Sequence, residues 1–416
     1  MYSFRYFHAK QPFNYTRKQA AAELANIATK VSLAFEADGA EVARLYFAGL
    51  SDERNSFHEL RRTMGIAVGD YYITCPTLEF AKEVFRSGGM KAKVFEYVFN
   101  SKLRDNFLCA QWMGVCHGND LIPMFGLPLT SGSGNYSNRE KEISRQMIDF
   151  LTHFAKTGAL PPQSGAHWPH FYAIDDHIIA PFYEVTSQPK PVSNFGVGFK
   201  INECERKFRS FSTQKSLPMR ALLLCGALLA VGCLSAEEEV VVRIKSGEIR
   251  GKQAEADGQP LTVFLGIPYA EPPIGELRFR RPRPVGPWTQ PREAKAFSSA
   301  CHQNGRMFEI EDYLENKSFS EDCLYLNVWS PKGSEDSPKA VMVWIHGGGL
   351  LVGSASEHYY RGDILATKGD VVVVSMNYRL NALGFLYSGE ESAPGNVGLW
   401  DQALALEWIN DNIRYF

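Results

Sequence analysis

Two short and almost wholly apolar runs stand out along the chain, Lys339–Ile345 (KAVMVWI) and Val371–Met376 (VVVVSM). Runs of this length without polar alternation predict parallel strands buried on both faces. Val240–Arg250 and Leu261–Leu265 read as further strands, and the proline-rich Gly266–Pro273 between them and the next run reads as a loop. Asp363–Lys368 reads as a short helix. Asn396–Ile413 reads as a longer one, with Leu399, Ala403, Leu406, Ile409 and Ile413 at 3–4 spacing on one face. Earlier in the chain Val94–Asn100 has strand composition. Ser137-Asn-Arg-Glu140 is a capping box whose helix buries Ile143, Met147, Leu151 and Phe154 and stops at Gly158. Strands alternating with helices give an α/β fold.

One apolar run fits none of this. Residues 219–236 (MRALLLCGALLAVGCLSA) pair Met219 and Arg220 with an apolar stretch to about Leu234, then small Ser235 and Ala236 before three glutamates. That is the layout of a secretory signal peptide. Its ~14 apolar residues fall short of the ~20 that span a bilayer comfortably. The alternatives are a buried core helix or a membrane anchor at 219–236. The chain therefore divides into residues 1–211, a linker at 212–218, the signal-like segment 219–236 and residues 237–416.

Composition narrows the class. With 45% hydrophobic and 22% charged residues and a net charge of −2, the 416-residue chain is neither disordered nor a basic nucleic-acid binder. Eight cysteines without a C-x-x-C pair argue against zinc ribbons. Spaced cysteines with sequons at Asn14, Asn135 and Asn316 point to an exported, glycosylated protein of the secretory pathway. His167-Trp-Pro-His170 has H-x-x-H spacing, but Pro169 denies it helical geometry, so no metal is expected.

Two loops carry chemistry. After the first buried strand comes His346-Gly347-Gly348-Gly349, where three glycines leave no Cβ to block a ligand and let backbone N–H groups converge. The functional reading is an oxyanion loop, and the bland one is a tight turn. The second loop, Gly114-Val-Cys-His-Gly-Asn-Asp120, holds His117, which on its own reads as structural or catalytic.

Four long segments carry a resemblance. They are Phe264–Phe279 (FLGIPYAEPPIGELRF), Ser320–Trp329 (SEDCLYLNVW), Val341–Gly349 (VMVWIHGGG) and Asn396–Gln402 (NVGLWDQ). They resemble the amino-terminal part of the type-B carboxylesterase/cholinesterase family. Gly69–Pro76 (GDYYITCP), Trp112–Gly126 around His117, and Phe154–Gly158 (FAKTG) resemble its carboxy-terminal part. The resemblance implies an α/β-hydrolase fold with a mostly parallel twisted sheet, and serine esterase chemistry on a small carboxylic ester without a cofactor. It implies His117 as general base and the N–H groups of Gly348 and Gly349 as oxyanion hole. It also implies disulfides Cys75–Cys204 and Cys301–Cys323, which leaves Cys109 and Cys116 as expected free thiols. Cholinesterases hold choline on a Trp inside the second disulfide loop, and residues 302–322 contain no Trp, which argues against a quaternary-ammonium substrate.

The remaining machinery is missing from the text of the chain. No G-x-S-x-G occurs in the 416 residues; the nearest relative is Gly114-Val-Cys-His-Gly118. No acid precedes Glu23, and no motif supports Glu41, Asp52 or Asp70 as the triad acid. The order of parts is base, signal, oxyanion loop, which is that of one esterase's tail joined to another's head. The expectation is an ester-hydrolase relative that is itself inactive. The alternative is a non-catalytic, cholinesterase-like adhesion protein with a protein partner.

Overall fold

A computed structural model describes residues 16–31, 39–50, 57–88, 92–104, 114–130, 135–162, 168–174, 177–186, 195–197, 204, 239–305, 312–334 and 337–416. Asn14, Asp52, Cys109, His167 and the segment 212–236 lie outside them. By contacts the chain forms two compact units. One comprises Met1–Asp120, Asn135–Ile143 and Pro161–Ala221, and the other Leu121–Gly134, Ser144–Leu160 and Leu222–Phe416.

The first unit opens with helices α1 (Arg17–Val31), α2 (Gly39–Phe47) and α3 (Phe57–Gly69). Thr16 caps α1 reciprocally with Gln19: the Gln19 N–H donates to Thr16 Oγ1 and the Thr16 N–H to Gln19 Oε1. Leu24, Phe47, Leu60 and Met64 form the core between these helices. A π-turn, Asp70–Thr74, carries α3 into α4 (Cys75–Gly88). Cys75 is bonded to Cys204, and the pair is buried with Leu78, Phe171 and Ala180. Strand β1 (Glu96–Phe99) lies within the stretch predicted as a strand. A β2 (Tyr172–Ile174) and β3 (His177–Ile179) hairpin follows later. β1 then pairs in parallel with β4 (Pro181–Val185), and β4 in antiparallel fashion with β5 (Phe195–Val197).

The second unit takes in α5 (Leu121–Met124) and most of α6 (Asn138–Thr157). The capping box of α6 is formed: Ser137 N–H donates to Glu140 Oε2 (2.6 Å) and Glu140 N–H to Ser137 Oγ (3.3 Å). Ile143 and Met147 are buried as predicted, but Phe154 is exposed. Strands β6 (Glu239–Ile244), β7 (Gly247–Ala256) and β8 (Gln259–Pro268) form a meander, so the predicted single strand 240–250 is a hairpin turning at Lys245–Ser246. Two-residue strands β9 (Arg292–Glu293), β10 (Ala300–Cys301) and β11 (Phe319–Ser320) lead to β12 (Tyr325–Pro331) and β13 (Val341–Ile345). Helix α7 (Asp363–Gly369) precedes β14 (Val372–Met376), and α8 (Asn381–Phe385) and α9 (Val397–Asn412) follow it.

The main sheet runs β13-β14-β12-β8-β7-β6, with β9 beside β7. β13 and β14 are parallel, as their apolar runs predict, while β14–β12, β12–β8, β8–β7 and β7–β6 are antiparallel. The sheet is mixed rather than mostly parallel. Every residue of β14 is buried, whereas β13, at the end of the sheet, is only half-buried. One face of the sheet carries Phe264, Leu326, Val328, Val374 and Met376, covered by Ala405, Trp408 and Ile409 of α9. Near β13, Phe125 packs edge-on against Trp344, with ring centroids 5.1 Å apart. Gly126 lies so close to Ile364 of α7 that a Cβ would sit 2.2 Å from its Cγ2. Residues 121–134 and 144–160 are thus in the same unit as β6–β14, although the motifs assign them to the 1–211 segment.

The face of α9 is a correction to the pattern. Leu399, Ala403 and Leu406 are exposed, while Val397, Gly398, Asp401, Ala405, Trp408, Ile409 and Asn412 point inward.

Candidate active site

The glycine loop leaves the end of β13, where the strand's N–H and C=O groups run out. His346 is buried, and its ring stacks on Tyr378, which follows β14, at 4.5 Å and 19°. The Tyr378 hydroxyl donates to the His346 carbonyl (3.0 Å). His346 Nδ1 lies 2.9 Å from the Gly347 carbonyl, which can only accept, so Nδ1 carries the proton. Burial pushes the His346 pKa from 6.5 down to about 4, and the Gly347 bond opposes this only partly. This histidine is a neutral pillar under the loop, not a titrating catalyst at neutral pH.

Beyond it Gly347, Gly348 and Gly349 are exposed. Gly348 has φ +108° and Gly349 φ +63°. The Leu351 and Val352 N–H groups both donate back to the Gly348 carbonyl, closing a tight turn. A Cβ on Gly348 would fall 1.9 Å from the Val352 carbonyl oxygen. Glycine is therefore required there by both torsion and space. Gly348→Ala is expected to open the turn at a cost of about 1–3 kcal/mol in local strain. The readout is faster chymotryptic cleavage at exposed Leu350 or Leu351; unchanged cleavage would contradict it. Among the described residues, the N–H groups of Gly348 and Gly349 have no protein acceptor.

A buried polar network lies behind the turn. Asn377 Oδ1 accepts from Ser354 Oγ (3.1 Å) and the Ala355 N–H (2.9 Å), and its Nδ2 donates to the Ser299 carbonyl. Glu357 accepts from the Ser354 N–H (2.8 Å) and the Tyr359 hydroxyl. Burial raises the Glu357 pKa from 4.5 to about 7, against the lowering effect of those two bonds. Arg379 and Asp401 form a buried pair, with Nε–Oδ2 at 2.8 Å and Nη2–Oδ1 at 2.7 Å. The disulfide Cys301–Cys323 closes a loop that flanks the glycine turn. None of Asn377, Glu357 or the ion pair stood out in the sequence, because each is a single polar residue whose role depends on what surrounds it.

His117 belongs to the first unit and Gly348 and Gly349 to the second. His117 is exposed in the turn before α5. Asn119 Oδ1 accepts the Cys116 N–H (2.7 Å), and the Tyr97 hydroxyl donates to Asp120 (2.7 Å), so both flanks of His117 are tied down. Cys116 is disulfide-bonded, which corrects the expectation of a free thiol. Its partner lies outside the described residues, since the other four described cysteines pair among themselves. Asp70 is buried and accepts from the Tyr46 hydroxyl (2.7 Å), a structural use. Asn135 and Asn316 are exposed; Asn316 Nδ2 donates to the Phe297 carbonyl (3.1 Å).

No helix among the described residues is long and apolar enough to cross a membrane. Comparison with known proteins agrees with the motifs. The model of the carboxylesterase family matches residues 2–201 and 238–416. A cholinesterase of Mus musculus is 44% identical over 210 residues, covering 49% of this chain and 34% of that protein. An acetylcholinesterase of Danio rerio is 49% identical over 188 residues, covering 44% of this chain and 30% of that protein. Each match spans about a third of the curated relative's length. With both stretches matched around the 202–237 gap, the chain belongs to the carboxylesterase family, and its mixed sheet with flanking helices is an incomplete α/β-hydrolase fold.

Proposed function

We propose that this chain derives from carboxylic-ester hydrolases, carries their oxyanion loop and general base, and does not itself turn over esters. The observation that carries the reading is the pair of N–H groups at exposed Gly348 and Gly349, which have no acceptor among the described residues. Two such donors suit the negative oxygen of a tetrahedral intermediate, and each is worth roughly 10²–10³ in rate where the reaction runs. His117 is the residue that would take a serine's proton and return it to the leaving alcohol. With no G-x-S-x-G serine in the 416 residues, that proton has no source here. A triad member without its nucleophile leaves only the residual effects of binding and the oxyanion donors.

The same reading assigns a small-molecule carboxylic ester as the substrate class, without a choline-binding Trp in the 302–322 loop. It assigns the chain to the secretory pathway, with Asn14, Asn135 and Asn316 as glycan acceptors; the disulfides fit that oxidising compartment. A pure adhesion module has no use for an intact glycine loop and His117, so the hydrolase lineage is favoured. Incubating the purified 416-residue protein with a short-chain aryl ester tests the proposal. The expected result is no turnover above buffer. Turnover abolished by a serine-directed inhibitor would overturn it.

A further inference from the structure

Gln303 is the third residue of the disulfide-closed loop, two positions after Cys301. Its amide is engaged on both sides with one backbone unit of the glycine turn. Nε2 donates to the Gly353 carbonyl (2.8 Å), and Oε1 accepts the Gly353 N–H (2.8 Å). The same Nε2 donates to the Cys301 carbonyl (3.0 Å), so the side chain is held against its own buried disulfide. Gly353 in turn has φ +115°, and a Cβ there would sit 2.4 Å from His346 Nδ1. It closes the loop directly against the histidine that opens it.

A second strap runs beside the first. The Asn381 N–H donates to the Leu350 carbonyl (2.7 Å), and its Nδ2 donates to the carbonyl of His302, Gln303's neighbour (2.8 Å). The segment from Gly348 to Gly353 is thus pinned at residues 350 and 353, in both cases by way of the Cys301 end of the small disulfide loop. Within 347–349 only carbonyls are held, Gly347 by His346 Nδ1 and Gly348 by the Leu351 and Val352 N–H groups. Three glycines leave the remaining torsions permissive, so the direction of the Gly348 and Gly349 N–H groups depends on how the far end of the turn is anchored.

We propose that Gln303 is a positioning residue of the oxyanion hole, its amide fixing Gly353 so that the Gly348 and Gly349 N–H groups converge. The proposal rests on the assignment of those groups as the hole. It adds that the Cys301–Cys323 loop shapes the catalytic centre through one side chain, not only through stability.

Hydrogen exchange on the full-length protein tests it without needing turnover. Gln303→Met keeps the length of the side chain and removes its three hydrogen bonds. Exchange in the 350–354 segment is expected to accelerate about tenfold or more, as loss of local hydrogen bonds permits, while 325–331 and 372–376 keep their protection. Unchanged exchange at 350–354, or equal acceleration everywhere, would overturn the role. Gln303→Glu adds a readout that mere packing would not move. Near pH 4, roughly the ordinary carboxylic range, a protonated acid can both donate to the Gly353 carbonyl and accept its N–H. At about pH 8 a carboxylate would face two carbonyl oxygens instead. His346 and Glu357 also titrate beside this segment, so each measurement is compared with the parent at the same pH. With labelling times scaled to intrinsic rates, protection of 350–354 in the variant is expected to match the parent at the lower pH and to fall below it at the higher. A difference from the parent that does not change with pH would count against the proposal, and this variant decides the matter if Gln303→Met does not fold. Failure of the ester-hydrolase reading would show in the ester assay, and failure of the Gln303 role in exchange.

Discussion

Asp401→Ala is expected to be the most damaging single change in the second unit, with a loss of about 3–5 kcal/mol of stability. Asp401 is fully buried on α9, and its carboxylate accepts three bonds from one residue: Arg379 Nε, Nη2 and the backbone N–H (3.0 Å). Removing the acid leaves a guanidinium and an N–H in the core without an acceptor. Among the described residues Arg379 Nη1 already has no partner, so no other acceptor is at hand to compensate. The damage would extend to the glycine loop, because Arg379 follows Tyr378, on which His346 stacks. The pair itself is not a large net stabiliser, since desolvating two charges offsets most of their attraction. An Arg379→Met, Asp401→Leu double variant is therefore expected to recover part of the loss. Urea unfolding of the three proteins checks this; a single variant within about 1 kcal/mol of the parent would refute the argument.

Glu357→Gln is expected to expose an acid lability that the parent hides. Glu357 has its pKa raised from 4.5 to about 7 by burial. A raised folded-state value means that its contribution to stability is complete below about 4.5 and is lost as pH rises through about 7. His346 is the mirror case, lowered from 6.5 to about 4 by burial. The folded protein keeps it neutral while the unfolded chain protonates, so its contribution is present above 6.5 and lost as pH falls through about 4. Between about 4.5 and 6.5 the two slopes oppose each other, each approaching ~1.4 kcal/mol per pH unit. Glutamine removes one slope and keeps the other. The variant should lose about 2–3 kcal/mol relative to the parent between pH 6.5 and 4.5, and gain relative to it at pH 8. Denaturant titrations of both proteins across this range measure the difference, in which all other carboxylates cancel. A difference that does not change with pH would show that Glu357 is not protonated in the fold.

The sequence carried the architecture where burial is enforced by apolar residues. Val371–Met376 is buried throughout because every position is apolar or small, and its neighbour Val341–Ile345 pairs with it in parallel. The capping box at Ser137 was legible because it is local. The face of α9 was not. Its inward side is set by Asp401, which must reach Arg379, and by Gly398, where a Cβ would fall 2.4 Å from the Arg379 carbonyl. Leu399 and Leu406 are turned outward by that choice, so counting apolar spacing selected the wrong stripe. The glycine loop could be read as a motif, but its supports could not. Gln303, Asn381 and Glu357 act through contacts across 50, 79 and 3 residues respectively, and only the last is near in sequence.

The placement of residues 121–130 and 144–160 in the unit of β6–β14 bears on what a single polypeptide means here. Phe125 covers Trp344, Gly126 abuts Ile364, and Thr152 abuts Gly369, so residues from the first half of the chain help fill the unit built by β6–β14. Residues 121–130 and 144–160 are therefore built into the fold of residues 239–416, and a polypeptide beginning at residue 239 would lack the side chains that cover Trp344, Ile364 and Gly369.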